Sequence, residues 1–156
     1  MRYDGPHASI APQCERILRT LPEWFGIESA LCDYASATSV HPTFAATQDG
    51  TVVAFLTARE HFPGAWEVHC FAVDGEHRGR GIGRALHMHV ESWLATRGVR
   101  LLQVKTIADT HPSRAYAETR RFYARIGYVP LEVFRGLWGP TLPVLQLVKT
   151  LPSDAT

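Results

Sequence analysis

The stretch that decides the fold covers residues 73–86 and reads Val73-Asp-Gly-Glu-His-Arg-Gly-Arg-Gly-Ile-Gly-Arg-Ala-Leu86. It lies between an apolar run that predicts a strand over residues 66–73 and a helical pattern that continues to Gly98. Glycines at such a turn let the backbone approach a ligand, and the first amides of a helix have no intrahelical partners. The positive end of the helix dipole adds to three nearby arginines, Arg78, Arg80 and Arg84. The stretch is therefore typical of a loop that binds a phosphate group.

The spacing of the glycines indicates which phosphate ligand the loop binds. A dinucleotide fingerprint, Gly-x-Gly-x-x-Gly, would need glycine at position 84, where this chain has Arg84, and the Gly-Lys-Ser/Thr of a Walker loop is missing from the stretch. The pattern Arg-x-x-Gly-x-Gly does fit, at Arg78, Gly81 and Gly83. It resembles the pyrophosphate loop of the GNAT superfamily of acetyl-CoA-dependent N-acetyltransferases. Taken alone, this short motif leaves an ordinary glycine-rich turn as the alternative.

The elements around the loop strengthen the resemblance. In the family the loop follows a strand that ends in an apolar residue, any residue and valine, here Phe71-Ala72-Val73, and it precedes a long amphipathic helix. A strand, a second helix and an aromatic ending follow, here Phe122-Tyr-Ala-Arg-Ile-Gly-Tyr128. The resemblance covers about residues 42–150 well and the N-terminal region less fully. One residue departs from it, because many members have an asparagine that contacts the pantetheine arm where this chain has Tyr116.

The hydrophobic periodicity predicts an α/β (α+β) chain. Two helices, over residues 10–21 and 27–37, precede a hairpin over 44–58 whose Asp49-Gly50 pair suits a type I′ turn. Helices are predicted from Ile82 towards Gly98 and from a cap at Ser113 to Ile126, and further strands over 66–73, 99–107, 128–134 and 144–150. The resemblance implies the GNAT fold, a mixed central sheet of about six to seven strands flanked by about four helices. We expect one domain over residues 1–156.

Composition and charge exclude several functional classes. The chain is 46% hydrophobic and 20% charged with a net charge of +1, values typical of a globular protein that does not bind nucleic acid. Its first residues include no apolar h-region and no apolar run reaches the ~18 residues that span a bilayer, so we expect neither a signal peptide nor membrane association. The three cysteines, Cys14, Cys32 and Cys70, show no Cys-x-x-Cys spacing. This pattern predicts a reduced cytoplasmic protein without a metal site.

Charge is unevenly spread along the chain. Residues 1–76 carry four arginines against ten acidic residues, whereas residues 77–125 carry ten basic residues against three acidic ones. The basic segment suits a polyanionic small molecule, and the acidic segment favours a cationic acceptor. That acceptor would meet Glu23, Glu28 and Asp33 if the two N-terminal helices roof the site. Ordinary solvated surface is the alternative explanation of these carboxylates.

The resemblance implies an acyltransferase that moves an acetyl group from acetyl-CoA to a primary amine of a small molecule or peptide, without an acyl-enzyme. Tyr123 occupies the position whose hydroxyl lies near the coenzyme sulfur, so we expect it to protonate the departing thiolate. Tyr116, Arg120 and Tyr123 share one helix face at i, i+4 and i+7 and are expected to face the ligand. A core tyrosine with its hydroxyl bonded to a carbonyl is the alternative for Tyr123.

The resemblance also implies a base on the central strand. Glu67 lies six residues before Val73, where many relatives carry a glutamate that acts on the amine through water. His69 is the alternative base because its unperturbed pKa is ~6.5, and the absence of a dedicated base is a third possibility. Strand alternation predicts Glu67 and His69 on one face and Cys70 packed on the opposite face.

The pantetheine arm is expected in the splay between the strands that end at Val73 and Ile107. The residues expected to contact the coenzyme are Phe71, Ala72, Val73, Arg78, Gly79, Arg80, Gly81, Ile82, Gly83, Arg84 and Tyr116. The wide turn around Trp138 shapes the acceptor site or a homodimer contact in the family, with an aromatic ring pinned over a loop as the alternative. Two rival functions remain: transfer of a longer acyl chain, and a non-catalytic acyl-CoA-binding or regulatory module.

Overall fold

A computed structural model describes residues 1–152, and over this range it contains seven strands and four α-helices. In chain order they are β1 (Arg2–His7), α1 (Ala11–Arg19), α2 (Glu28–Ala37), β2 (Thr43–Gln48), β3 (Thr51–Phe62), β4 (Ala65–Val73), α3 (Ile82–Ala95), β5 (Leu101–Ile107), α4 (Arg114–Arg125), β6 (Val129–Phe134) and β7 (Val144–Thr150). The predicted mixed sheet with four helices is confirmed. None of these helices is long and apolar enough to cross a bilayer.

The seven strands form one sheet in the order β1-β2-β3-β4-β5-β7-β6. Neighbouring strands are antiparallel except β4 and β5, which are parallel. That parallel pair is joined at three positions only, where Ala65–Glu67 pair with Leu101–Gln103. Beyond them β5 continues beside β7 and β4 beside β3, so the sheet splays open between the carboxyl ends of β4 and β5.

Strand β1 was not predicted from the sequence. It pairs with β2 at the edge of the sheet, and its register shifts between Asp4 and His7. Gly5 and Pro6 lie inside that shift, and neither favours a strand: glycine has no side chain to pack and proline has no amide to donate. The pairing with β2 therefore forms in spite of the local sequence.

Local sequence does determine two other features as predicted. Asp49 and Gly50 have φ angles of 50° and 81°, the positive values that a type I′ turn requires at both central positions. At the start of α4, the Ser113 side chain accepts a hydrogen bond of 3.3 Å from the Tyr116 amide. Both the hairpin turn and the helix cap are confirmed.

The two faces of the sheet bury separate apolar clusters. On one face Leu86 and Val90 of α3 pack with Phe44, and Tyr123 of α4 belongs to the same cluster. On the other face the buried side chains of α1 and α2 pack against β3 and β4, among them Ile17, Leu18, Leu31, Phe55 and Cys70. Helices α3 and α4 therefore cover one side of the splay, and α1 and α2 cover the other.

Strand β4 contains a bulge that changes the predicted side-chain directions. Thr57 of β3 pairs with Cys70 and the next residue, Ala58, pairs with Val68, so His69 is the extra residue. The His69 ring lies 5.4 Å from the ring of Tyr34 in α2, and Cys70 packs in the cluster beneath α1 and α2. Cys70 is buried as predicted, but the prediction that it lies on the face opposite His69 is wrong because the bulge interrupts the alternation.

Candidate active site

A cavity of about 520 Å³ opens at the splay between β4 and β5. Its walls come from β4, the loop after β4, the start of α3, the middle of β5 and most of α4, with further residues from α2, the segment before α2 and the turn between β6 and β7. Its volume is within the range of small-molecule sites, about 300–1,000 Å³. The polar groups at each end of the cavity define what it can bind.

At one end of the cavity lies the glycine-rich loop. Asp74 anchors the loop, since its carboxylate accepts hydrogen bonds from the Glu76 amide at 2.9 Å and from Arg16 at 3.0 Å. Burial alone would raise the pKa of Asp74, but these donors, together with His77, hold that pKa below its usual value. The carboxylate therefore stays ionised and fixes the start of the loop.

The loop leads into α3 with its backbone exposed. Gly79 and Gly81 have φ angles of 77° and 79°, in the left-handed region that favours glycine. No side chain of the described part of the chain caps the N-terminus of α3, and Gly81, Ile82 and Gly83 line the cavity there. The first amides of the helix are consequently available to an anion in the cavity.

The structure brings together all but one of the residues predicted to contact the coenzyme. Ten of them line this one cavity: Phe71, Ala72, Val73, Arg78, Gly79, Gly81, Ile82, Gly83, Arg84 and Tyr116. Arg80 is exposed and does not line it. The guanidinium of Arg78 lies 4.1 Å from the ring centre of Trp24 and donates a hydrogen bond of 3.4 Å to Glu118.

Tyr123 reaches the cavity from the buried side of α4. Its side chain is only 5% exposed, and its ring lies 5.3 Å from Phe122 and 5.2 Å from Tyr128. Burial, with a smaller effect of the nearby Cys70, raises the pKa of Tyr123, so the phenol is protonated at neutral pH. Its hydroxyl makes no hydrogen bond to any described residue, unlike the core tyrosine bonded to a carbonyl that was the alternative.

Glu67 lies beside the cavity rather than in its wall. One carboxylate oxygen accepts a hydrogen bond of 2.8 Å from Lys105, and the other lies 2.8 Å from Nε2 of His61. Burial acts to raise the pKa of Glu67, but the two partners outweigh it and the pKa lies below its usual value. The carboxylate is therefore ionised, with both oxygens engaged, and only its partner Lys105 lines the cavity.

His69 lines the cavity at the bulge of β4. Burial lowers its pKa below the ordinary value, although the charge of Glu67 opposes that shift. The ring is held between Tyr34, at 5.4 Å, and His41, at 5.9 Å. At neutral pH the imidazole is uncharged and has a lone pair with which to accept a proton.

The segment between α1 and α2 forms a roof over the cavity. Nε1 of Trp24 donates a hydrogen bond of 2.9 Å to Thr119, and the Tyr116 hydroxyl donates one of 3.2 Å to the Trp24 carbonyl. Tyr116, at the position where many relatives have asparagine, thus holds the roof in place. Phe25 follows in the roof, and its ring lies 5.8 Å from Tyr34.

Sequence reasoning missed several residues of the cavity wall, namely Trp24, Phe25, Tyr34 and Lys105. Two signals were available. The aromatic pair Trp24-Phe25 lies two residues after Pro22, between the two N-terminal helices, and Lys105 is the one charged residue of the strand over residues 101–107. Trp138, from the turn between β6 and β7, also lines the cavity.

Other residues do not take the positions expected of them. Arg120 donates a hydrogen bond of 2.7 Å to the Ile107 carbonyl, so it ties α4 to the end of β5 and does not line the cavity. The carboxylates of Glu23, Glu28 and Asp33 also lie outside the cavity wall, and Glu28 forms an ion pair of 2.7 Å with Arg19. Arg120 therefore does not face the cavity as its helical spacing predicted. The residues of the N-terminal region that line the cavity are apolar and aromatic rather than acidic, so the expected contact of these carboxylates with the acceptor is wrong.

A comparison with protein-family models identifies the family of this chain. The model of the acetyltransferase (GNAT) family matches residues 12–128, which include β4, the glycine-rich loop and all of α4. The chain belongs to the GNAT family of acetyltransferases. The GNAT resemblance is thereby confirmed, and the protein is an acyltransferase. No curated protein matches the chain in sequence.

Solved structures share the GNAT fold over nearly the whole chain. An aminoglycoside 6′-acetyltransferase type Ii superposes with a TM-score of 0.78 at 22% identity, covering 99% of this chain and 100% of the other. An aminoglycoside 6′-N-acetyltransferase complexed with coenzyme A has a TM-score of 0.74 at 20% identity, covering 100% of both chains. The ribosomal-protein-S18-alanine N-acetyltransferase from Escherichia coli has a TM-score of 0.78 at 21% identity, covering 99% of this chain and 96% of the other. At these identities the likeness shows the fold alone.

Proposed function

We propose that this GNAT protein transfers the acetyl group of acetyl-CoA to a primary amine of a small molecule or peptide by direct attack on the thioester. The observation that carries the proposal is one cavity joining the uncapped start of α3, the open edge of β4 and the free hydroxyl of Tyr123. The names of the structural neighbours support it, because they are N-acetyltransferases of amines and one is complexed with coenzyme A.

In this proposal the glycine-rich loop binds the pyrophosphate of the coenzyme. Arg78 and the amides of residues 79–83 supply charge and hydrogen-bond donors, and the helix dipole adds to both. Arg78 first has to leave its contact with Glu118, whose side chain is 57% exposed. Exposed ion pairs contribute about 0–1 kcal/mol, so this rearrangement costs little.

The pantetheine arm would lie along the last residues of β4, from Phe71 to Val73. From Val68 onward β4 has a strand neighbour on the side of β3 and, among the described residues, none on the side of β5. An extended chain with amide groups can hydrogen-bond to such an edge as an added strand does. In this proposal the thioester would lie further back along β4, towards Tyr123 and the bulge.

The chemistry requires two proton transfers. As the C–N bond forms, the amine loses a proton, and as the C–S bond breaks, the thiolate gains one. Tyr123 is the proposed acid, because its hydroxyl is protonated and has no hydrogen-bond partner within residues 1–152. His69 is the proposed base, because it is neutral and lines the cavity, whereas Glu67 would have to act through a water molecule.

Free thiol release tests the function. The protein is incubated with acetyl-CoA and a panel of polyamines, aminoglycosides, amino acids, arylalkylamines and N-terminal peptides, and the thiol is measured against a mixture without amine. Amine-dependent thiol release is expected with acetyl-CoA. Binding of acetyl-CoA without thiol release for any amine would favour a non-catalytic acyl-CoA-binding module, and faster release from a longer acyl-CoA would favour the other rival.

His69→Asn and Glu67→Gln separate the two candidate bases. If His69 is the base, wild-type kcat falls as pH drops through the lowered pKa of His69. His69→Asn then has a lower kcat at neutral pH, and its kcat does not depend on pH in that range. Glu67→Gln keeps that decline. The opposite pattern would assign the base to Glu67.

A further inference from the structure

The proposed site has an acceptor end whose lining differs from its coenzyme end. Val73 adjoins the glycine-rich loop, and His69 lies four residues back along β4, about 13 Å away at ~3.3 Å per residue. The coenzyme enters from the loop, so the amine has to approach the thioester from the side of His69. The side chains around His69 therefore select the acceptor.

The acceptor end is walled by aromatic rings. Phe25 and Tyr34 meet edge to face at 5.8 Å, and Tyr34 lies 5.4 Å from His69. All three line the cavity. Burial raises the pKa of Tyr34 to about 12, so its ring carries no charge at neutral pH. A planar ring and a single ammonium group both interact favourably with such a wall.

Charge at this cavity does not suit an acceptor with several positive groups. The charged residues in the wall are Glu118 and four basic ones, Arg78, Arg84, Lys105 and Arg125. Glu118 lies at the coenzyme end, where Arg78 contacts it before the pyrophosphate binds, and its side chain is 57% exposed. The carboxylate nearest the acceptor end, that of Glu67, is already bound by Lys105 and His61. Among the described residues of the wall, the acceptor end therefore offers no free carboxylate to additional ammonium groups.

We propose that the acceptor is an arylalkylamine, a primary amine joined to a planar aromatic ring by a short carbon tether. The ring packs against Phe25 and Tyr34 while the amine lies between His69 and the thioester. The assignment rests on the proposed acetyl transfer and narrows its acceptor.

The test compares kcat/KM for four amines with saturating acetyl-CoA: 2-phenylethylamine, tryptamine, n-butylamine and spermidine. The n-butylamine probe keeps the primary amine and removes the ring, and spermidine adds charge. We expect the two aromatic amines to exceed n-butylamine by at least about tenfold, the discrimination that even small apolar groups give in a fitted pocket. Spermidine is expected to be the poorest substrate.

Two variants show whether the advantage comes from this wall. Tyr34→Leu is expected to remove most of the preference for 2-phenylethylamine over n-butylamine, whereas Tyr34→Phe keeps the ring and the preference. Phe62→Leu is the matched control, because Phe62 is 72% exposed and does not line the cavity. Thermal stabilisation by acetyl-CoA shows that each variant is folded. If Tyr34→Leu is not stabilised, Phe25→Leu replaces it.

The outcomes separate this inference from the proposed function. Transfer to spermidine or an aminoglycoside at least as fast as to 2-phenylethylamine would overturn the aromatic acceptor while leaving acetyl transfer intact. Equal kcat/KM for 2-phenylethylamine and n-butylamine, or a preference that Tyr34→Leu leaves unchanged, would also overturn it. If none of these four amines supports thiol release while an amino acid or peptide of the wider panel does, the aromatic acceptor is overturned and acetyl transfer stands. If no amine of the wider panel supports thiol release, the proposed function is refuted, and the acceptor assignment with it.

Discussion

Replacing Tyr123 by phenylalanine isolates the proposed acid. The ring of Tyr123 packs between Phe122 and Tyr128, and phenylalanine preserves both contacts. The hydroxyl that is removed has no hydrogen-bond partner among the described residues. The substitution should therefore leave the free energy of unfolding within about 1 kcal/mol of the wild-type value, because no intramolecular hydrogen bond is lost.

The effect on turnover is expected to be much larger. General acid–base catalysis typically contributes 10²–10⁴-fold, so kcat should fall by about that factor in Tyr123→Phe. At ~1.4 kcal/mol per factor of ten, this corresponds to about 3–5 kcal/mol of transition-state stabilisation. Since burial raises the pKa of Tyr123, wild-type kcat should also show no loss of the acid up to pH ~10, where an ordinary tyrosine ionises.

Tyr128→Phe is the matched control. Its hydroxyl lies 2.8 Å from Nε2 of His87, a buried histidine that is 1% exposed. Removing this partner leaves a buried nitrogen unsatisfied and should cost about 1–3 kcal/mol of stability. Tyr128 does not line the cavity, so kcat should be retained. The two variants should therefore have opposite effects on turnover and stability.

The assay measures thiol release in steady state, with melting temperature and acetyl-CoA affinity recorded for each variant. A Tyr123→Phe variant that turns over within about twofold of the wild type would refute the reasoning, because a proton donor in the transition state cannot be removed at so small a cost. A large loss of stability in that variant would also contradict it, since it would show that the hydroxyl has a structural partner.

Three further perturbations test the surroundings of the site. Gly81→Asp should abolish thermal stabilisation by acetyl-CoA. Gly50→Asp is the control, because Gly50 lies in the β2–β3 turn with a φ of 81°, close to the 79° of Gly81, and it should retain the stabilisation. Equal stabilisation of both variants would refute the assignment of the glycine-rich loop to the pyrophosphate. Lys105 and His61 lower the pKa of Glu67 in spite of its burial. The wild type should therefore be more stable than Glu67→Gln above pH 4.5, and this difference should disappear as pH falls through the lowered pKa of the folded state. Acid denaturation of both proteins measures the difference. Raising salt from 0.1 M to 1 M shortens the Debye length from ~10 Å to ~3 Å, so KM for acetyl-CoA should rise while KM for the amine hardly changes. A KM that rises for the amine but not for acetyl-CoA would indicate instead that the acidic residues of the N-terminal half attract the acceptor.

Local patterns in the sequence predict most of the fold. The Asp49-Gly50 turn, the Ser113 cap and the helical periodicity of α3 each depend on residues close together in the chain, and all three form as expected. Strand β1 was missed because its pairing comes from β2, more than thirty residues away, and not from its own alternation. The bulge at His69 was missed for a similar reason, since it exists only in the register between β3 and β4.

The candidate site likewise has one part that the sequence predicts and one part that it does not. The glycine-rich loop is contiguous in sequence, so its motif predicts the cavity wall almost residue by residue. The acceptor end is assembled from Phe25, Tyr34, His69 and Lys105, which belong to four different segments and share no spacing. The segregation of acidic residues along the chain suggested a cationic acceptor, but Glu28 is neutralised by Arg19 on the surface. Sequence charge alone therefore does not describe this cavity.

The most direct test of the account is a single-turnover reaction, with enzyme in excess over acetyl-CoA and the amine of highest turnover from the panel. Quenched samples are analysed by mass spectrometry for the amine and for the intact protein, and by thiol titration. Direct transfer predicts one acetylated amine for each thiol released, with the protein mass unchanged at every time point. An acetylated protein that appears before the product, or thiol release without acetylated amine, would contradict direct transfer in the β4–β5 splay.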